Sequence, residues 1–355
     1  MRVLIVQQKM IGDVLTSTII CQNLKEFIPE CTVHYMVHSN TIPVLINNPY
    51  IDKIIDFKPE YRENMASFYG FLKSLKKEPY DVVIDVYGKL ETNLITHFCK
   101  APIKIGYDKW YTRFFYTHPI KPFNESKFNL GKAIEKRLQL LQPIIKNKEI
   151  TEFYNKPKIF LSDLEKKEAL TFLKTSGIDP KKPIFMIGIL GSGSKKTYPF
   201  EYMAQIIEEI VEKSDSTLLF NYIPSQINEV KEIYNLCSEN AQKQIKFEAF
   251  ASSLRGFLSI LSHCKAIIGN EGGAINMAKA LEIPTFSIFS PWIDKEGWAL
   301  FEDQNNMSVH INDYKPELFK DKNIKSIKKS TDSLYNDFKP EYIKPKLNEF
   351  LKNIL

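Results

Sequence analysis

The 355-residue chain is poor in the side chains that hold metals and cofactors. Its six histidines form no clustered His/Cys set and its five cysteines (Cys21, Cys31, Cys99, Cys237 and Cys264) form no CxxC pair, so no metal site is expected. The odd, scattered cysteines also argue against a disulfide scaffold and predict buried, reduced thiols in a cytoplasmic protein. No two aspartates are spaced DxD, so the carboxylate device that often grips a divalent cation beside a nucleotide is missing. GxGxxG and GxxxxGK[ST] are absent, which argues against a dinucleotide fingerprint and a P-loop. HExxH and a nucleophile elbow are absent too. No apolar run approaches the ~18 residues of a membrane-spanning helix. The apolar opening at residues 3–6 is too short for a signal peptide.

What is present describes a globular protein, 44% hydrophobic and 25% charged, long enough for two domains. Lysine and arginine outnumber acids by 48 to 42, a net charge of +6. That mild excess suits phosphorylated or anionic substrates, and with no recognition module in the sequence a nucleic-acid partner is not expected. Short apolar runs at residues 3–6, 32–37, 51–57, 81–86 and 103–107 alternate with helical patterns at 14–27, 41–46 and 68–75. The rhythm resumes with strand patterns at 183–190, 216–220, 266–268 and 285–289, separated by helices at 200–213, 225–237, 254–263 and 274–281. Such alternation predicts an α/β protein of two Rossmann-like domains with mostly parallel sheets. The expected division is 1–165 and 170–335, with punctuation at Pro157 and at residues 179–183.

Ligands of parallel sheets bind at the carboxyl ends of strands, which directs attention to three loops. In the first, Gly12 and Asp13 open a helix, and the Asp13 carboxylate is either an N-cap or a general base. In the second, Gly191, Ser192, Gly193, Ser194, Lys195 and Lys196 follow a strand and precede a helix. This is a phosphate cradle or an ordinary flexible turn. In the third, Gly269, Asn270, Glu271, Gly272 and Gly273 lead into a helix carrying Asn276. Close backbone approach to an anion and a plain glycine-rich turn both fit.

Taken in order, these loops resemble the heptosyltransferases of glycosyltransferase family nine. Ile11-Gly12-Asp13 resembles the family's IGD turn, Asn48-Pro49-Tyr50-Ile51-Asp52 its NPyvD segment, and Tyr80 to Gly88 its YDlviDlqG strand. Lys104-Ile105-Gly106-Tyr107 resembles rIGf, Lys196-Thr197-Tyr198-Pro199 resembles KrWP, Gly269 to Gly273 resembles GNDTG, and Phe289-Ser290-Pro291 resembles FGPT. Glu271, Gly272, Asn276 and Tyr198 depart from the family's Asp, Thr, His and Trp.

The resemblance implies a GT-B fold, its two sheets facing across a cleft, with helix 340–355 packing back on the first domain. It implies a metal-independent, inverting transfer of a sugar, heptose from ADP-heptose, to a lipopolysaccharide inner-core acceptor such as lipid A–Kdo. Asp13 would be the base. Gly191, Ser192, Ser194, Lys196, Glu271, Gly272, Gly273 and Asn276 would hold the nucleotide sugar in the second domain, with no further cofactor. Gly12, Lys109, Arg113 and Arg137 would meet the acceptor in the first. Another nucleotide sugar, or a non-catalytic sugar-nucleotide binder, stays open as an alternative; a nicotinamide oxidoreductase lacks its fingerprint. Residues 107–116 interleave aromatic and basic side chains. They form either a lobe touching the acceptor or the inner face of the cytoplasmic membrane, or a buried hairpin or helix with solvated charges.

Overall fold

A computed structural model describes residues 1–128 and 130–355. Contacts divide the chain into a first unit, Met1–Phe160 with Glu296–Leu300, and a second, Leu161–Lys295 with Phe301–Leu355.

The first unit is built on a six-stranded parallel sheet. Its strands are β1 (Arg2–Val6), β2 (Thr32–His38), β3 (Lys53–Phe57), β4 (Val82–Asp85), β5 (Ile103–Tyr107) and β6 (His118–Ile120), in the order β3-β2-β1-β4-β5-β6. The chain winds one way from β1 to β2 and the other way from β4 to β5. The β1–β4 boundary is therefore a topological switch point, where loops diverge and leave a crevice. Helix α1 (Ile11–Phe27) follows β1, and its residues from Val14 to Leu24 are all buried. Its polar members are satisfied internally: Thr16 Oγ1 donates to the Gly12 carbonyl at 2.8 Å and Asn23 Nδ2 to that of Ile19 at 2.8 Å. A helix enclosed in this way is a rigid mount for its first turn.

The second unit carries β7 (Ile184–Gly188), β8 (Thr217–Phe220), β9 (Ala266–Asn270), β10 (Thr285–Ile288) and β11 (Asn306–Val309), all parallel in the order β11-β10-β9-β7-β8. Here the switch point lies between β7 and β9. The helix Asp163–Thr175 packs on Leu254–Leu261 in this unit, so residues 179–183 form a turn inside it.

The C-terminal helix Pro340–Ile354 corrects an expectation. It packs on the helix Phe200–Lys213 and on β11, within the second unit. Ile343, Leu347, Phe350, Leu351 and Ile354 join the same core as Ile206, Ile210 and Phe286, and the Phe286 and Phe350 rings lie 5.6 Å apart. Asn348 Nδ2 donates to Glu209 Oε1 at 2.8 Å, which fixes the helix register. Its apolar stripe is spent on this core. All five cysteines are buried free thiols, and among the described residues no helix is long and apolar enough to cross a membrane.

Candidate active site

Asp13 stands in the first turn of α1, beyond the carboxyl end of β1. The N-cap position belongs to Met10, and no side chain caps the helix. The Asp13 carboxylate is thus not consumed by its own helix, although an acid in the first turn still favours the dipole. Instead Arg137 Nη2 donates to Asp13 Oδ1 at 2.7 Å. Arg137 is held at further points: Nε donates to Ser17 Oγ at 2.8 Å and Nη1 to the Ala133 carbonyl at 2.6 Å. Its side chain is 7% exposed against 32% for Asp13. The cation is enclosed while the carboxylate reaches outward.

Arg137 owes its place to the helix Lys132–Gln139, which packs on α1. Glu135, fully buried on that helix, accepts from the backbone of Lys127 at 2.7 Å, of Phe128 at 2.9 Å and of Leu130 at 3.2 Å. Burial would raise its pKa, but these bonds and the Ser126 hydroxyl outweigh burial and keep the carboxyl below its ordinary value.

Asp13, Arg137, Lys109, Tyr87, Tyr107, Val86, Gln7, Pro122 and Lys136 line a pocket of about 290 Å³. Two of its walls come from the loop after β4, which is organised from below by Asp85. That carboxyl is fully buried and accepts from Gly88 N at 2.8 Å, Tyr116 OH at 2.9 Å and Asn93 Nδ2 at 3.1 Å. Burial pushes its pKa up against those bonds. Lys109 Nζ donates to the Gly88 carbonyl at 2.9 Å. Burial, and then Lys89, lower its pKa below the ordinary lysine value. Burial raises the Tyr107 hydroxyl to about 12.

In the second unit glycine permits close backbone approach at the ends of β7 and β9. A Cβ on Gly191 would lie 2.1 Å from the Lys196 carbonyl oxygen, and one on Gly269, at φ +139°, would lie 2.4 Å from the Gly188 carbonyl oxygen. Asn270 stitches the strand ends: Nδ2 donates to Gly188 O at 2.9 Å and Ile189 O at 3.0 Å, while Oδ1 accepts from Tyr198 N at 2.7 Å. Lys196 Nζ pairs with Glu271 Oε1 at 2.9 Å, with side chains 25% and 10% exposed. Ser192 and Ser194 are exposed on the loop. Gly272 and Gly273 open the helix Gly273–Ala280, and Asn276 Nδ2 donates back to Gly272 O at 3.3 Å.

A family profile described as glycosyltransferase family 9 (heptosyltransferase) matches residues 68–328. The chain belongs to glycosyltransferase family 9. Lipopolysaccharide heptosyltransferase 1 of Campylobacter coli is 23% identical over 298 residues, covering 81% of this chain and 84% of that protein. Lipooligosaccharide heptosyltransferase 2 of Haemophilus influenzae is 22% identical over 297 residues, covering 82% and 84%. Among solved structures, a glycosyl transferase family 9 protein from Veillonella parvula superposes with a TM-score of 0.76 at 15% identity, covering 95% of this chain and 97% of that one. E. coli heptosyltransferase WaaC with ADP-2-deoxy-2-fluoro heptose gives 0.67 at 17% identity, covering 95% and 98%. The family 9 transferase thus has the α/β, GT-B architecture expected from its motifs.

The expected acceptor residues of the transferase divide. Lys109 and Arg137 line the pocket beside Asp13. Gly12 is buried inside α1 and offers no surface to a ligand. Arg113 lies outside the pocket lining, 61% exposed and 3.6 Å from Asp108. Its neighbours Trp110, Tyr111 and Phe114 are 86%, 51% and 73% exposed, so this stretch is not a buried hairpin. Sequence reasoning missed Tyr87, Tyr107, Lys136 and the Asp85 network. Asp85 had a readable signal, an acid at the end of a fully apolar strand three residues before Gly88.

Proposed function

We propose that this transferase moves a heptosyl group from ADP-heptose to a lipopolysaccharide inner-core acceptor by one inverting, metal-independent displacement. The observation that carries the reading is the Asp13 carboxylate, free of capping duty, held by Arg137 at the edge of a pocket. Asp13 takes the proton of the acceptor hydroxyl, the hydroxyl oxygen bonds to the anomeric carbon, and the bond from that carbon to the leaving phosphate oxygen breaks. The departing ADP keeps the electron pair. Lys196 and the backbone amides opening Gly273–Ala280 take up the charge that develops on it. The names of the relatives, heptosyltransferases acting on lipopolysaccharide and one crystallised with an ADP-heptose analogue, support donor and acceptor.

The first unit would then be the acceptor side and the second the nucleotide side. A lipid-linked acceptor such as lipid A–Kdo brings the enzyme to the cytoplasmic face of the inner membrane. The exposed Trp110 and Phe114 beside Arg113 suit peripheral contact with an anionic surface. Glu271, Gly272 and Asn276, where the family pattern has Asp, Thr and His, favour a second reading in which another nucleotide sugar is the donor.

The deciding assay incubates the protein with ADP-heptose and lipid A–Kdo, with GDP- and UDP-sugars in parallel, and identifies the product and its anomeric configuration by NMR. Transfer with inversion in the presence of EDTA is expected. Transfer by Asp13→Ala at the wild-type rate would refute the base assignment, and a retained configuration would refute the single displacement.

A further inference from the structure

A third loop of the second unit reaches the phosphate loop. Trp292 follows β10, and its Nε1 donates to the Lys195 carbonyl at 3.0 Å. Ser290 Oγ donates to the same carbonyl at 2.6 Å. Lys195 Nζ in turn donates to the Lys328 carbonyl at 2.8 Å, which ties in the helix Ile324–Lys329. Around this lacing, two ammonium groups share one indole. Lys328 Nζ lies 4.3 Å from the Trp292 ring centroid and Lys196 Nζ 5.5 Å from it. Both lie within the ~6 Å over which a ring face attracts a cation.

The two cations are balanced differently. Lys196 has Glu271 as its counter-ion, whereas among the described residues Lys328 is held by the indole and not by a carboxylate. Glu271 offsets one of the two charges on the ring, and the charge of Lys328 is left for an anion to complete. A nucleoside diphosphate, with negative charge on two phosphates, meets that demand; a monophosphate has only one group to offer.

We propose that Lys328 is a second phosphate-gripping cation of the donor site and that Trp292, the ring it shares with Lys196, is the plate that holds it there. The inference rests on the donor reading given above and extends it: this pair selects a diphosphate over a monophosphate. Lys328 is exposed, so its replacement leaves the core intact.

The test is calorimetry of wild type, Lys196→Ala, Lys328→Gln, Lys328→Arg, Trp292→Phe and Trp292→Ala with ADP, AMP and inorganic pyrophosphate. Lys328→Gln is expected to weaken ADP and pyrophosphate about tenfold, the size of one charge-assisted hydrogen bond, and AMP less than about twofold. Lys328→Arg and Trp292→Phe, which keep the charge and the ring face, should stay near wild type, while Trp292→Ala follows Lys328→Gln. If Lys328→Gln binds ADP as wild type does while Lys196→Ala has lost affinity, the role of Lys328 is overturned and the donor reading stands. If the wild type binds no nucleoside diphosphate, both fall together.

Discussion

The two switch-point corners of this protein solve one problem, holding a loop at a strand end, by different means. In the first unit the loop is held by side chains: Arg137 gathers Asp13, Ser17 and Ala133, and Asp85 gathers Gly88, Asn93 and Tyr116. In the second unit Asn270, Ser290 and Trp292 also bind the loop, but glycine adds a second means, because Gly191 and Gly269 let backbone pass against backbone at distances no Cβ tolerates. On the proposed mechanism the difference follows the chemistry. A proton acceptor must be one atom in one place, which calls for a rigid mount and several bonds to it. A phosphate is gripped by amides and cations, which calls for close main-chain approach and a lysine whose head stays partly wet.

The sharpest way to break that comparison is Asp13→Ala. Turnover should fall about 10²–10⁴-fold while ADP affinity, read by calorimetry, stays unchanged. A parallel loss of both would mean that the corners do not divide the work. Lys196→Ala should give the converse, about 10–100-fold weaker ADP binding, with a lowered melting temperature because Glu271, 10% exposed, loses its counter-ion. Gly191→Ala pushes a methyl into the Lys196 carbonyl. It should cost about 1–3 kcal/mol of stability in denaturant and weaken ADP, whereas Ser192→Ala, on the exposed part of the loop, should do neither. Asp85→Asn places an amide donor against the Tyr116 hydroxyl and the Asn93 amide. A loss of about 1–3 kcal/mol with ADP binding intact is expected by chemical denaturation and titration.

The smallest effect concerns acid. Glu165 is held by Arg255, whose Nη2 donates to its Oε2 at 2.9 Å, and its pKa falls from 4.5 to about 2. The folded value lies below the unfolded one, so the pair stabilises fully above pH 4.5, and that contribution disappears as pH falls from 4.5 towards 2. Arg255→Met should lose about 1 kcal/mol at neutral pH and show a flatter stability profile across that window.

Much of this was readable from the chain, for physical reasons. Strands buried on both faces are continuous apolar runs, so β1, β4 and β7 announce themselves. The edge strands β6 and β11, His-Pro-Ile and Asn-Met-Ser-Val, are short and mixed and do not. The helix Leu90–Phe98 begins after Lys89 without a conventional cap and is equally silent. Asp13 and the glycine loops were legible because they directly follow strands. Arg137 and Lys328 were not legible in their present roles. One meets Asp13 across 124 positions of sequence, and the other meets Trp292 through packing that no local pattern encodes. Arg113, a basic residue in an aromatic stretch, lies on the surface 3.6 Å from Asp108 and outside the pocket beside Asp13.

The Lys196–Glu271 pair has one further consequence. A resting cation already neutralised at 2.9 Å is a poor trap for chloride or bicarbonate, since a singly charged competitor would have to evict a carboxylate tethered to the same scaffold. Only a guest of higher valence gains by the exchange. Lys196 is therefore a weak trap for the common small ions of its surroundings, and a multiply charged ligand is the guest that can draw it from Glu271.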